Sequence, residues 1–336
     1  MRVGIDAMGG DQAPAPQVQG ALAARELLGA EDRIVLVGRE EPIRRLLDDA
    51  DGDWSERIEI RHAPDVIGMD DPPVETLRAR PGSSVAVMIE MHRDGELDAC
   101  ISAGNTGAFV AAAQMRLRRL RGVHRPGIAI ITPTYRGPVA VCDVGANVNC
   151  RPKHLYQYAV MASEYVKAVA GIAEPRVALL SIGEEDAKGN ELVRGAHEML
   201  RDDPHIHFVG NVESRDLFGG VCDVLACEGF VGNVVLKLME GMAESVIEAI
   251  LSELSASMPD QVTMIRAAAG EILAKYDFNE YGGAPLLGVA GICIIAHGAS
   301  NERGIMNAVR VAGNFATGGV NERIVELLAA GQGTAP

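Results

Sequence analysis

The chain has 336 residues, of which 48% are hydrophobic and 23% charged, a balance near that of globular proteins and sufficient for a sizeable core. Its 31 basic and 46 acidic residues leave a net charge of −15, which argues against a nucleic-acid binder, because phosphate-backbone affinity rests on Lys and Arg. No segment approaches the roughly 20 apolar residues of a membrane span, and the opening MRVGIDAMGG holds no apolar core of signal-peptide length, so a cytoplasmic protein is expected.

In chain order, apolar runs at Val3–Ile5, Ile34–Val37, Ala99–Ile101, Ile128–Ile131, Val139–Val141, Val177–Ile182, Val224–Cys227 and Ile292–Ala296 predict strands. Helical periodicity covers Gln17–Leu27, Pro42–Leu47, Val85–Arg93, Thr106–Arg116, Lys153–Ala168, Gly189–Arg201, Asn233–Ser257, Gln261–Lys275, Glu302–Asn314 and Asn321–Leu328. This alternation predicts a single large α/β domain over 1–336, a sandwich of helices around a mostly parallel sheet. Six cysteines end apolar runs or lie near them without any CxxC pair, which predicts reduced core thiols. Eight histidines lack HExxH or paired spacing, so no metal site is expected.

The stretch 233–275 differs, because two helical patterns meet at Met258-Pro259-Asp260 with no strand between them, predicting a protruding helical hairpin. Its first arm sets Glu240, Glu244 and Glu248 on one face and Met239, Met242, Val246, Ile250 and Leu254 on another. The apolar face suits core or dimer packing. The tip, with Leu254, Met258, Val262, Met264 and Ile265, is the candidate membrane contact, and it would act through apolar side chains because few cations flank it.

Ligands of open parallel sheets bind beyond the carboxyl ends of the strands. Five segments end strands in small or neutral polar residues: Asp6–Asp11 (DAMGGD), Ser102–Ala108 (SAGNTGA), Ser181–Asn190 (SIGEEDAKGN), Cys227–Asn233 (CEGFVGN) and His297–Asn301 (HGASN). Small residues let backbone amides approach an anion, and Ser, Thr and Asn add neutral donors. Neither GxxxxGK[ST] nor GxGxxG occurs, so nucleotide cradling has no support and no cofactor is expected.

These segments, together with DVGAN at Asp143–Asn147, the Leu-Lys that follows GFVGN, and YGGAPLLG at Tyr281–Gly288, occur in an order that resembles the PlsX family of phosphate acyltransferases, from Gly4 to about Asn314. The resemblance implies transfer of a long acyl chain from acyl carrier protein to inorganic phosphate, giving acyl phosphate for phospholipid synthesis. It also implies a fold similar to isocitrate and isopropylmalate dehydrogenases, a homodimer, and peripheral association with the inner face of the cell membrane. One departure is Glu228, which stands where the family has Asp, so its carboxylate reaches about one methylene further.

Phosphate is a nucleophile and a thioester has a good leaving group, so the protein must hold the anion against the carbonyl and stabilise the oxyanion in a water-poor site. Ser102, Gly104, Asn105, Thr106 and Asn233 are the candidate phosphate donors, although Asn233 also suits a helix cap. Lys188 is the candidate cation, Glu228 would orient it or accept a proton, and His297 is the candidate acid for the thiolate. Arg116, Arg118, Arg119, Arg121 and Arg125 form the densest basic run and suit docking of an acidic carrier protein. The alternatives are a phosphotransacetylase acting on acyl-coenzyme A and a noncatalytic scaffold that binds carrier protein or membrane.

Overall fold

The structure, a computed structural model, describes residues 1–50 and 52–331. From the amino terminus run β1 (Arg2–Asp6), α1 (Ala15–Ala24), β2 (Arg33–Gly38), α2 (Glu40–Asp48), β3 (Ile58–His62), α3 (Pro73–Ala79), α4 (Ser84–Arg93), β4 (Ala99–Ser102) and α5 (Thr106–Arg116). A hairpin of β5 (Gly127–Thr134) and β6 (Gly137–Cys142) leads to α6 (Pro152–Val169), β7 (Val177–Ser181), α7 (Glu191–Arg201), β8 (Phe208–Glu213), β9 (Val224–Ala226) and the long α8 (Gly229–Ser257). A turn at Pro259–Gln261 joins α8 to α9 (Val262–Tyr276), and α10 (Phe278–Tyr281), β10 (Ala284–Leu287), β11 (Cys293–Ile295), α11 (Glu302–Thr317) and α12 (Val320–Gly331) follow.

The strands form one sheet of 11 in the order β3-β2-β1-β4-β11-β10-β5-β6-β9-β7-β8. Pairing is parallel except where β10 meets β11 and β5 and where β5 meets β6. The chain therefore builds one side of the sheet with β1 to β4, crosses to build the other with β5 to β9, and returns with β10 and β11 to fill the gap. Alternation along β2 explains the layering: Ile34 and Leu36 enter a core shared with α1 and α11, whereas Val35 and Val37 enter one shared with α4 and α5.

All eight expected strands are present, and β3, β8 and β10 join them. The first two form the edges of the sheet, where one side of the ladder meets solvent and Glu59, Arg61, Asn211 and Glu213 interrupt the apolar run. The third is short and contains Pro285, tolerated here although it lies between two partners. Helix α8 begins at Gly229, one turn before the expected Asn233. No helix among the described residues is long and apolar enough to cross a membrane. Five of the six cysteines are buried free thiols, and burial pushes Cys100 and Cys142 well above the ordinary thiol range.

Candidate active site

The carboxyl ends of β1, β4 and β11 and the first two turns of α8 surround a cavity of about 420 Å³. Its polar end is made by Asp11, Gly104, Thr106, Asn233, Lys237, His297 and Ser300. The rest of the lining is mostly apolar, with Ile128, Ile130, Ile131 and Pro133 from β5 and Val144 and Leu236, and it is interrupted by Thr132 and Tyr281. A polar pole joined to an apolar wall suits an anion held against a group that carries a hydrocarbon chain.

Two loops distant in sequence build the polar pole. Ser102 donates its hydroxyl to Asp6 at 2.8 Å and accepts the Gly104 N–H at 3.1 Å. A methyl group at Gly9 would lie 2.7 Å from the Gly104 nitrogen, so this crossing of two backbones requires glycine. Burial raises the Asp6 carboxyl above its ordinary value, opposed by hydrogen bonds from Ser84, Ser102 and the N–H groups of Met8 and Gly9. Asp6 and Ser102 thus brace the loop from beneath.

Asn105 has two structural tasks. Its carbonyl oxygen caps α5 by accepting the Ala108 N–H at 3.0 Å, and its amide nitrogen donates to the carbonyls of Gly68, Met69 and Asp71. With Ala108 capped, the first-turn N–H groups of Thr106 and Gly107 are those that a helix leaves without an intrahelical acceptor, and Thr106 lines the cavity.

Glu228 is the N-cap of α8. Its carboxylate accepts the N–H groups of Phe230 at 3.0 Å and Val231 at 3.1 Å, so the capping place considered for Asn233 belongs to Glu228, and Asn233 lies one turn inside the helix. The helix start presses on the 143–147 loop: Gly229 donates to the Asn147 carbonyl at 2.9 Å, and a methyl there would meet that oxygen at 2.6 Å. Asp143, fully buried, organises the same loop by accepting N–H groups from Ile128, Gly145, Ala146 and Asn147. From this platform Asn233 and, one turn further, Lys237 project along the cavity wall.

His297 lines the cavity and accepts the Ala299 N–H at Nδ1 over 3.2 Å, so in this arrangement the ring hydrogen sits on Nε2. Lys188 lies elsewhere. It is exposed in the loop after β7, which is pinned by Asn211 donating to the Glu185 carbonyl, and it is not among the residues that line the cavity. The structure therefore brings Gly104, Thr106, Asn233 and His297 together, sets Ser102 and Asn105 behind them as braces, and leaves Lys188 apart. Among the described lining residues Lys237 is the one lysine or arginine. Asp11, Lys237, Tyr281 and Ser300 were not singled out from the sequence. Lys237 stands two turns into α8, away from the strand-end loops whose composition points to an anion site.

The arginines divide as well. Arg116 is largely buried, donates to the Ala86 carbonyl at 2.7 Å and pairs with Glu90 at 3.2 Å. Arg118, Arg119, Arg121 and Arg125 are exposed. At the α8–α9 turn Met264 is 63% exposed, Ile265 is buried, and Leu254, Met258 and Val262 are half-buried. Among the described residues no cluster of His, Cys, Asp and Glu is arranged to hold a metal ion.

Residues 1–323 match the family described as "Fatty acid synthesis protein". The chain is 44% identical over 335 residues to the phosphate acyltransferase of Trichlorobacter lovleyi, covering 99% of this chain and 96% of that one. In fold it is similar to a phosphotransacetylase from Streptococcus pyogenes, with a TM-score of 0.61, 15% identity and 94% of each chain covered. It is also similar to 4-hydroxythreonine-4-phosphate dehydrogenase from Klebsiella pneumoniae, with a TM-score of 0.52, 15% identity and coverage of 94% of this chain and 99% of that one.

Proposed function

The chain belongs to the phosphate acyltransferase family, and on that premise we propose that it moves a long-chain acyl group from an acyl carrier protein thioester to inorganic phosphate, forming acyl phosphate. The observation that carries this reading is the cavity with a polar pole of helix-end amides, hydroxyls, Asn233 and Lys237 and an apolar wall from β5. A phosphate oxygen at the pole attacks the thioester carbonyl carbon, the carbonyl becomes an oxyanion, and its collapse expels the carrier's thiolate. The N–H groups of Thr106 and Gly107 and the side chain of Asn233 hold the phosphate. His297 donates a hydrogen bond from Nε2 to the departing sulfur. That sulfur can leave before it is protonated, because a thiolate, with a conjugate acid titrating at about 8.5, is a far weaker base than an alkoxide and picks up its proton from solvent afterwards. The apolar wall keeps water from competing with phosphate.

Three further features fit the same reading. Phe230, Val234, Leu238, Met242, Val246 and Ile250 recur every fourth residue along α8 as an exposed apolar stripe, and in a homodimer it would pack on a second copy. Lys188 then serves as the cation for the partner's cavity rather than its own, with the layered α/β body holding the two sites and the α8–α9 hairpin projecting from it. Arg118, Arg119, Arg121 and Arg125 dock the acidic carrier protein, and Met264 at the hairpin turn contacts the inner face of the membrane peripherally.

The deciding assay supplies palmitoyl carrier protein with and without inorganic phosphate and measures free thiol and acyl phosphate. Thiol release that needs phosphate and matches acyl phosphate one for one is expected. Release that continues without phosphate would make the protein a thioesterase.

A further inference from the structure

A second cavity, of about 450 Å³, is lined by residues distinct from those of the first and takes in Arg119 and Arg125 of the basic run. Arg119, Arg125 and Arg151 line it together with His124, His154 and Asn149, and no carboxylate does. In a chain of net charge −15 such a concentration of cations is exceptional. Three guanidinium groups around one concavity focus a positive potential there, which draws in an anion.

The local geometry adds donors to the charge. Asn149, Cys150 and Arg151 lead directly into α6, so the positive end of an 18-residue helix closes one side. His154 is 7% exposed yet still borders the cavity. Its Nδ1 accepts the Arg151 N–H at 3.2 Å, so the polar group it can offer a ligand is Nε2–H. The Arg119 guanidinium donates to the His124 carbonyl and that of Arg125 reaches the Asn147 side chain at 3.5 Å, which places both without neutralising either. Burial and then the neighbouring cations hold both imidazoles below their ordinary value, Lys153, Arg119 and Arg151 acting on His124, and Arg125, the ring of His124 and Arg151 on His154.

We propose that this cleft is a second anion site, specific for the phosphate group of an organic phosphate and separate from the cavity that holds the reacting phosphate. Forked guanidinium groups and a helix end match a tetrahedral oxyanion, and the volume exceeds what one free ion needs, leaving room for a carried organic group. Two sources share this chemistry: the phosphodiester in the prosthetic arm of a carrier protein, and a small diffusible phosphate monoester. The assignment of the cleft does not depend on the acyl-transfer reading, although the first source does.

The test uses the full chain with isotopically labelled histidine and follows the ring signals of His124 and His154, assigned through His124→Gln and His154→Gln. Addition of pantetheine phosphate as monoester, or of a pantetheine phosphodiester, is expected to move both signals and to raise both ring pKa values by about one unit, as an oppositely charged group a few ångströms away does. A response to the monoester alone supports the site with a diffusible ligand, and a response to the diester supports it with the carrier's arm. Equal shifts from sodium chloride at matched ionic strength would mean simple screening and overturn the proposal, as would signals unmoved by either ester. Arg125→Gln with Arg151→Gln should abolish the response of His124 and His154, and persistence of an undiminished response would also overturn it.

Discussion

The hydroxyl of Ser102 at the end of β4 bridges Asp6 and the backbone of Gly104, so a residue of β1 holds the loop that supplies the phosphate pole. Ser102→Ala deletes both bonds and leaves a buried carboxyl short of a donor, which costs about 1–3 kcal/mol. The expected result is a lower denaturant midpoint with an unchanged slope and a raised KM for phosphate. An unchanged midpoint would show that the bridge is not formed.

Asp6 itself gives a pH signature. Burial raises its folded pKa above the unfolded value near 3.8, so the folded chain keeps this proton longer than the unfolded chain does. The contribution to stability is complete below the unfolded pKa and is lost as pH rises through the folded pKa. The penalty of Asp6→Asn, which cannot titrate, should therefore be largest on the acid side and shrink with rising pH. Urea unfolding of both proteins across pH 3.5–7.5, a range of about four units around the carboxyl transition, measures this, and a penalty that grows with pH contradicts it.

The two lysines can be separated by mixing subunits. If Lys237 acts in its own cavity and Lys188 in the partner's, Lys188→Ala and Lys237→Ala are each nearly inactive, with turnover reduced about 100-fold or more. Random reassembly of the two variants makes half the dimers mixed, each with one intact site, and restores about a quarter of wild-type activity. No recovery on mixing would place both lysines in one chain's site or neither in it.

Charge reversal at Arg118, Arg119 and Arg121 should raise the KM for carrier protein about 10-fold while leaving the KM for phosphate unchanged, with a weaker dependence on salt. Arg116→Glu should behave differently, lowering stability, because that side chain is committed to Ala86 and Glu90. Steady-state kinetics on both substrates together with thermal melts distinguish the two outcomes.

Met264→Asp should release the protein from lipid vesicles and change stability by less than about 0.5 kcal/mol, as expected of an exposed position. Ile265→Asp places a charge in a buried position and should destabilise the chain by about 3 kcal/mol or more. Vesicle sedimentation and unfolding, measured on both variants, check the pair, and unaltered sedimentation of Met264→Asp would place any membrane contact elsewhere.

Much of the fold could be read from periodicity, because buried parallel strands such as Ile34–Val37 are continuous apolar runs with few rivals. Strands β3 and β8 escaped for the opposite reason, since an edge strand has one wet side and admits Glu59, Arg61 or Asn211. The polar pole was legible as loops, but the division of labour within it was not. Nothing local to Asn105 reveals that its amide is spent on residues 68–71, nor does the sequence around Arg116 reveal that it is engaged by α4. Lys237 illustrates the same limit: only tertiary packing decides which turn of a helix faces a cavity.

The sheet order carries a last consequence, for the making of the protein. The strand β11, followed by His297 and Ser300, is inserted beside β4 although nearly two hundred residues separate them, and α11 then packs on α1. A ribosome delivers the polypeptide from the other end, so a growing chain can assemble β1 to β9 and still lack one wall of its reaction chamber. Activity should appear only when the final segment docks, and a message truncated after β9 would leave the two halves of the sheet unjoined and yield no chemistry. Since an acyl phosphate is a reactive mixed anhydride, this order of assembly also ensures that it is made only where the closing wall already shields it from water.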